Sequence, residues 1–148
     1  MTGSTTDENG QLTVMIIGYV TLALLVATVM IGISSVYLEH KRLLSLADGA
    51  SLAAADSYTL GEVASQGGSP SAVLNPARVR AVAADFVSRS PASARFQGLA
   101  VAGATGTPDG STAVVVLTAE VHPPVVNFLV PGGIAIEATS TARSRLTR

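Results

Sequence analysis

LTVMIIGYVTLALLVATVMIGISSVYL, residues 12–38, is the stretch on which the reading of this chain turns. No charged residue occurs between Glu8 and Glu39, and within 16–33 only Tyr19, Thr21 and Thr28 interrupt the apolar run. A bilayer core about 30 Å thick takes about 20 apolar residues in helical form, and this run exceeds that. Val, Ile and Thr are mediocre helix formers in water. Lipid, however, offers the backbone no hydrogen-bond partner, so a lone spanning segment must be helical. Tyr19 and Tyr37 are candidates for marking interfacial depth. A secretory signal would need a basic leader and a shorter apolar stretch of about 7–15 residues. Here the leader carries Asp7 and Glu8 with no Lys or Arg. The sequence therefore predicts an uncleaved transmembrane helix at 12–38, preceded by a disordered polar lead at 1–11. Small-residue pairs Ala23/Ala27 and Thr28/Gly32 fit helix–helix packing within lipid.

Composition agrees. Hydrophobic residues make up 48% and charged residues 13% of the 148-residue chain, against about 25% charged in an average soluble domain. The formal net charge is −1, which gives no general attraction to nucleic acid. With no cysteine, disulfide scaffolds, thiol nucleophiles and thiolate zinc sites are excluded. After the anchor, enough chain remains for one modest core.

The helical signal continues past the lipid. In residues 39–60, EHKRLLSLADGASLAAADSYTL, the apolar residues Leu43, Leu46, Ala47, Ala50, Ala53 and Ala54 recur at three- and four-residue steps. They form one narrow stripe, small enough to admit close approach of a helix or sheet. Gly49, at about 1 kcal/mol against Ala, is read as a soft point in this juxtamembrane helix. Residues 61–74 form a turn-rich connection around Gly67, Gly68, Ser69, Pro70 and Ser71. A second helix opens with Asn75 as cap and Pro76 at the first helical position. Val79, Val82, Ala83, Phe86 and Val87 mark its buried face, Arg78, Asp85 and Arg89 its solvated one, and Ser90-Pro91 ends it.

The period then changes to two. Residues 96–103 read as a weak strand, and Thr107-Pro108-Asp109-Gly110 as a hairpin turn into a strand at 112–122. There Ala113, Val115, Leu117, Ala119 and Val121 share one face, opposite Thr118, Glu120 and His122. Residues 125–133 read as an apolar loop that packs over the core or against a partner. A last strand turns Ile134, Ile136, Ala138 and Ala142 inward and Glu137, Thr139, Thr141 and Arg143 outward. The expected fold is α+β: a long N-terminal helix, transmembrane then juxtamembrane, followed by a short helix packed on a small antiparallel sheet of about three strands. The small domain occupies 61–148.

No residue pattern specifies a catalytic, cofactor-binding or metal site. His40, beside Lys41, and His122, before two prolines, are read as surface histidines. Asp48, Asp56 and Glu62 are dispersed, without the pairing that acid–base chemistry requires. The glycines from Gly61 to Gly68 lack the Lys-Ser/Thr of a phosphate loop and follow no strand. Arg143, Arg145 and Arg148 read as a solvated basic tail.

Two stretches carry a resemblance. Glu8-Asn9-Gly10-Gln11, the apolar span, and then RLLSLADGASLAAA (residues 42–55) resemble the N-terminal region of Tad-type (Flp) pilus-assembly proteins of the TadG/TadE-like group. Residues 114–143 resemble that group's tail, in which a Val-rich strand precedes an aromatic loop, a Gly and a Thr-Ala-Arg-type strand. Together they cover about half the chain. The positive-inside rule alone would put the domain in the cytoplasm, because Lys41 and Arg42 follow the span and nothing basic precedes it. The resemblance implies the opposite: a single-pass anchor in the plasma (inner) membrane, with the C-terminal domain extracytoplasmic. It supplies no catalytic positions. Prepilin peptidases cut after Gly and favour Glu at the fifth mature position; cutting after Gly10 would put Met15 there, and Gly3 has Glu8 at that distance but stands too far before the apolar run, so no such processing is expected.

The expectation is a non-enzymatic structural or assembly component of a Tad-type pilus or related secretion apparatus. Its partners would be lipid and other apparatus membrane proteins, with no nucleic acid, small-molecule substrate or cofactor. The rival reading is a membrane-anchored extracytoplasmic binding module unrelated to pili, and a membrane-tethered enzyme stands third.

Overall fold

The computed structural model describes residues 5–57, 73–123 and 131–143. The connection expected at 61–74 and the apolar loop expected at 125–133 fall largely outside these residues, as do Glu62, Arg145 and Arg148.

Helix α1 runs without a break over Thr5–Ala55, 51 residues, about 75 Å at about 1.5 Å per residue. It begins within the polar lead. Its two halves meet different surroundings. From Leu12 to Ile31 every large apolar side chain stands uncovered by protein, Val14 at 71% and Leu24 at 64%. From Leu43 onward one stripe is buried: Leu43, Leu46, Ala47, Ala50, Ala54 and Ala55, with Ser51 among them. Ala53, expected on this stripe, is half-buried. Asp56 and Ser57 turn the chain out of the helix, and the Ser57 hydroxyl donates to the Ala54 carbonyl. The α-helix thus ends before the expected limit near residue 60.

Gly49 is not a soft point. The helix passes through it, and a β-carbon there would stand 2.7 Å from Phe86 Cζ. The missing side chain lets the second helix approach.

That second helix, α2, spans Pro76–Arg89. As the sequence predicts, Asn75 Oδ1 accepts from the backbone N–H of Ala77 and of Arg78, and Pro76 sits where no N–H is needed. Val79, Ala83 and Val87 are buried against the core, while Val82 and Phe86 are half-buried. Ser90-Pro91 ends the helix, and a short 3-10 turn, Pro91–Arg95, follows.

Three antiparallel strands make one sheet in the order β1-β2-β3. These are β1 (Gln97–Val101), β2 (Thr112–Val121) and β3 (Ile134–Arg143). β1 is shorter than the 96–103 read from sequence, because Phe96 still caps the preceding 3-10 turn and Gly103 already belongs to the next turn; inside the strand Gly98, at φ +59°, accompanies an irregularity between Gln97 and Ala100. β2 and β3 pair without slippage from Thr112↔Arg143 to Val121↔Ile134. Along β2 the inward residues Ala113, Val115, Leu117, Ala119 and Val121 are all buried. Along β3 the alternation is regular, with Ile136, Ala138, Ser140 and Ala142 buried between exposed neighbours. Both helices cover this inner face, α1 lying along β3 and β2 and α2 closing over β2 and β1. The architecture is α+β, as the sequence predicts.

Candidate membrane-proximal interface

The sheet has a definite polarity along α1. Ile134 and Ile136, at the start of β3, share a groove with Val29, Gly32, Ile33 and Val36. Ser140, further along β3, reaches Ser51. β3 therefore climbs away from the apolar half of the helix, and β2 descends towards it. Val121 and His122, at the foot of β2, border a depression with Ser35 and Glu39. The feet of two strands and the turn of α1 near residues 29–40 make up the lower surface of the domain, at the end of the charge-free run.

Polar groups ring this surface. His40 Nε2 lies 3.1 Å from the Glu137 carbonyl oxygen. A carbonyl only accepts, so Nε2 carries the hydrogen and the ring ties α1 to β3 just above the span. Lys41 Nζ stands 5.7 Å from the centre of the Tyr37 ring, a cation–π contact worth about 0.5–1 kcal/mol at an exposed site. Arg42 pairs with Glu39 one turn back. Arg95, at the end of the 3-10 turn, borders a depression of about 290 Å³ together with Arg42, Ser45 and Phe86. An apolar shaft topped by aromatic and basic side chains is what a helix leaving a bilayer presents.

On the other side of α1 the groove is almost wholly apolar. It measures about 680 Å³, is open, and is bounded by Val29, Gly32, Ile33, Val36, Tyr37, His40, Ile134 and Ile136. No residue pattern foretells it, since it arises only where the foot of β3 meets the helix.

The other titratable residues do not converge. His122 lies over Gly133, where the missing β-carbon leaves room for the ring: one there would stand 2.8 Å from His122 Nε2. Asp48 is exposed on α1, Asp56 is exposed just past its end, and Arg143 is exposed at the end of β3. Asp85 pairs with Arg89 on the outer face of α2. Among the described residues no group of three or more His, Cys, Asp or Glu side chains stands close enough to hold a metal ion. Asp109 is the one acid among them held clearly below the usual carboxylate range. The backbone N–H of Ser111 contributes most, followed by the hydroxyl and N–H of Thr112. Its task is to shape the hairpin turn.

The matched residues are those of the long helix. Residues 10–57 match the Tad family, described as "Putative Flp pilus-assembly TadE/G-like". The Tad match thus takes in the exposed apolar half of α1, the α1 side of the interface just described and the buried stripe beneath the sheet. It bears out the resemblance over the span and the juxtamembrane helix, while residues 114–143 lie beyond it. No curated protein and no solved structure matches the chain. The Tad match and one long apolar N-terminal helix are consistent with a membrane-anchored protein and suggest a role in pilus assembly.

Proposed function

We propose that this chain is a structural or assembly component of a Tad-type (Flp) pilus or related secretion apparatus, acting by association rather than by catalysis. Residues 12–38 are its single anchor in the plasma membrane, and the domain that follows works on the extracytoplasmic side. The observation that carries this reading is the Tad match over residues 10–57, which falls on a helix whose large apolar side chains from Leu12 to Ile31 all stand uncovered. In lipid, association between helices rests on close packing of small residues rather than on hydrophobicity. Ala23 and Ala27, one turn apart on that half, supply such a surface for a helix of another apparatus protein. The exposed outer face of the sheet, with Glu137, Thr139, Thr141 and Arg143, is open to a second contact.

The test combines topology with phenotype. Reporter enzymes fused after Arg148, one active only outside the cytoplasm and one only inside, should show activity for the first alone. Deleting the gene should abolish surface pili or the associated secretion, and the intact gene should restore them. Cytoplasmic activity of the fusion, or full assembly in the deletion strain, overturns the reading.

A further inference from the structure

We propose that the groove between α1 and the foot of β3 is a binding site for one membrane phospholipid, its acyl chain lying along Val29, Ile33 and Val36 beneath Ile134 and Ile136. The phosphate sits above, within reach of Lys41. This rests on the membrane reading above and adds a ligand to it.

Three observations favour lipid over a protein occupant. The groove opens directly onto the uncovered half of α1, where Ile31 and Ile33 are 59% and 67% exposed, so whatever solvates the span also reaches the groove. Its polarity changes along its length. Val29, Gly32, Ile33 and Val36 line the lower part, and only at the top do Tyr37 and His40 enter, with Lys41 over the Tyr37 ring. Apolar below and cationic above is the order of a phospholipid met from its tail. The third is that the helix-packing surface at Ala23 and Ala27 lies elsewhere. At about 100° per residue, Ala27 lies roughly half a turn from Val36 around α1. A partner helix and a bound lipid would therefore take opposite sides.

The experiment uses the full-length protein in nanodiscs of mixed phosphatidylglycerol and phosphatidylcholine. A photoreactive benzoylphenylalanine replaces Ile134, Leu24 or Thr139 in turn, and adducts are identified by mass spectrometry. Ile134→benzoylphenylalanine and the span control at Leu24 should both yield phospholipid adducts, and Thr139, on the outer sheet face, should yield none. Lys41→Glu should lower the lipid yield at position 134 at least twofold relative to that at position 24. Lipid adducts at 24 with only polypeptide adducts at 134, to this chain or to another, overturn the groove proposal alone. An unchanged yield in Lys41→Glu overturns the phosphate contact and with it the site as stated. Absence of lipid at both positions overturns the site together with the membrane reading beneath it.

Discussion

Phe86 stands against Gly49 with no room for a side chain between them: a β-carbon on Gly49 would come within 2.7 Å of Phe86 Cζ and 3.0 Å of Cε1. The two helices are held at this distance by an absence. A half-buried ring can swing aside for one methyl, and Ala is worth about 1 kcal/mol more than Gly in a helix. Gly49→Ala should therefore change stability by less than about 1 kcal/mol. Gly49→Val, bulkier and stiff at χ1, should cost about 1–3 kcal/mol through overpacking. Adding Phe86→Ala should recover part of that cost, giving a non-additive double-mutant cycle in thermal unfolding of the detergent-solubilised chain.

Ser51 and Ser140 meet in the core, with their hydroxyl oxygens 3.1 Å apart. Ser51 Oγ also lies 2.9 Å from the Asp48 carbonyl, to which it donates. The direction of the pair follows, because Ser51 has spent its one proton and so Ser140 donates to Ser51. Ser51→Ala leaves the Ser140 hydroxyl buried without that acceptor, at a cost of about 1–3 kcal/mol. Ser51→Ala combined with Ser140→Ala removes both partners and should be less destabilising than Ser51→Ala alone. Equal losses in the single and double variants would contradict this account.

Thr105 replaces a missing piece of strand. Its Oγ1 accepts from the Val116 N–H at 3.0 Å and donates to the Val116 carbonyl at 3.2 Å, and the side chain is buried. Backbone pairing resumes on either side, through Ala102 N–H to Val116 O and between Gly106 and Val114. Thr105→Val keeps the shape and removes the hydroxyl, stranding the Val116 N–H at about 1–3 kcal/mol. Amide exchange at Val116 should accelerate, and the change at β2 residues paired only to β3 should be smaller.

The Asp109 turn should be sensitive to acid. Hydrogen bonds from Ser111 and Thr112, through both backbone N–H groups and both hydroxyls, favour the charged carboxylate in the folded state, so the folded value lies below the roughly 3.9 of an unfolded Asp. The stabilisation is complete above that unfolded value and is lost as pH falls through the folded one. Asp109→Asn keeps one acceptor but cannot titrate. Its thermal midpoint should therefore fall less than that of the parent between about pH 6 and about pH 2. A direct NMR titration of the Asp109 carboxyl should give a midpoint below the ordinary Asp range.

Much of this fold could be read from periodicity. The switch from helical to alternating spacing after Ser90-Pro91, the Asn75-Pro76 cap and the Thr107–Gly110 turn each rest on local chemistry, and each appears in the structure. Ser140 was also legible in part, since it has the same parity as Ile136, Ala138 and Ala142. Its partner Ser51 was not, because the two are joined only by the packing of β3 on α1. Gly49 was misread for a related reason. An isolated Gly in a helix looks like a weakness until the aromatic ring that needs its place is known. Thr105 gave no signal at all, for a threonine in a turn-rich stretch is ordinary. The candidate interface was half visible. Lys41, Arg42 and Tyr37 follow an apolar run in plain order, whereas the groove depends on how far the foot of β3 stands from the helix.

The unbroken course of α1 from span to core has a mechanical corollary. Helix and sheet share one shaft, so, with the apolar half anchored as proposed, a roll or lean imposed on it by neighbours in the bilayer is passed on to the sheet. A contact made deep in the lipid would thus be felt, as a change of heading, by whatever meets the domain tens of ångströms above it.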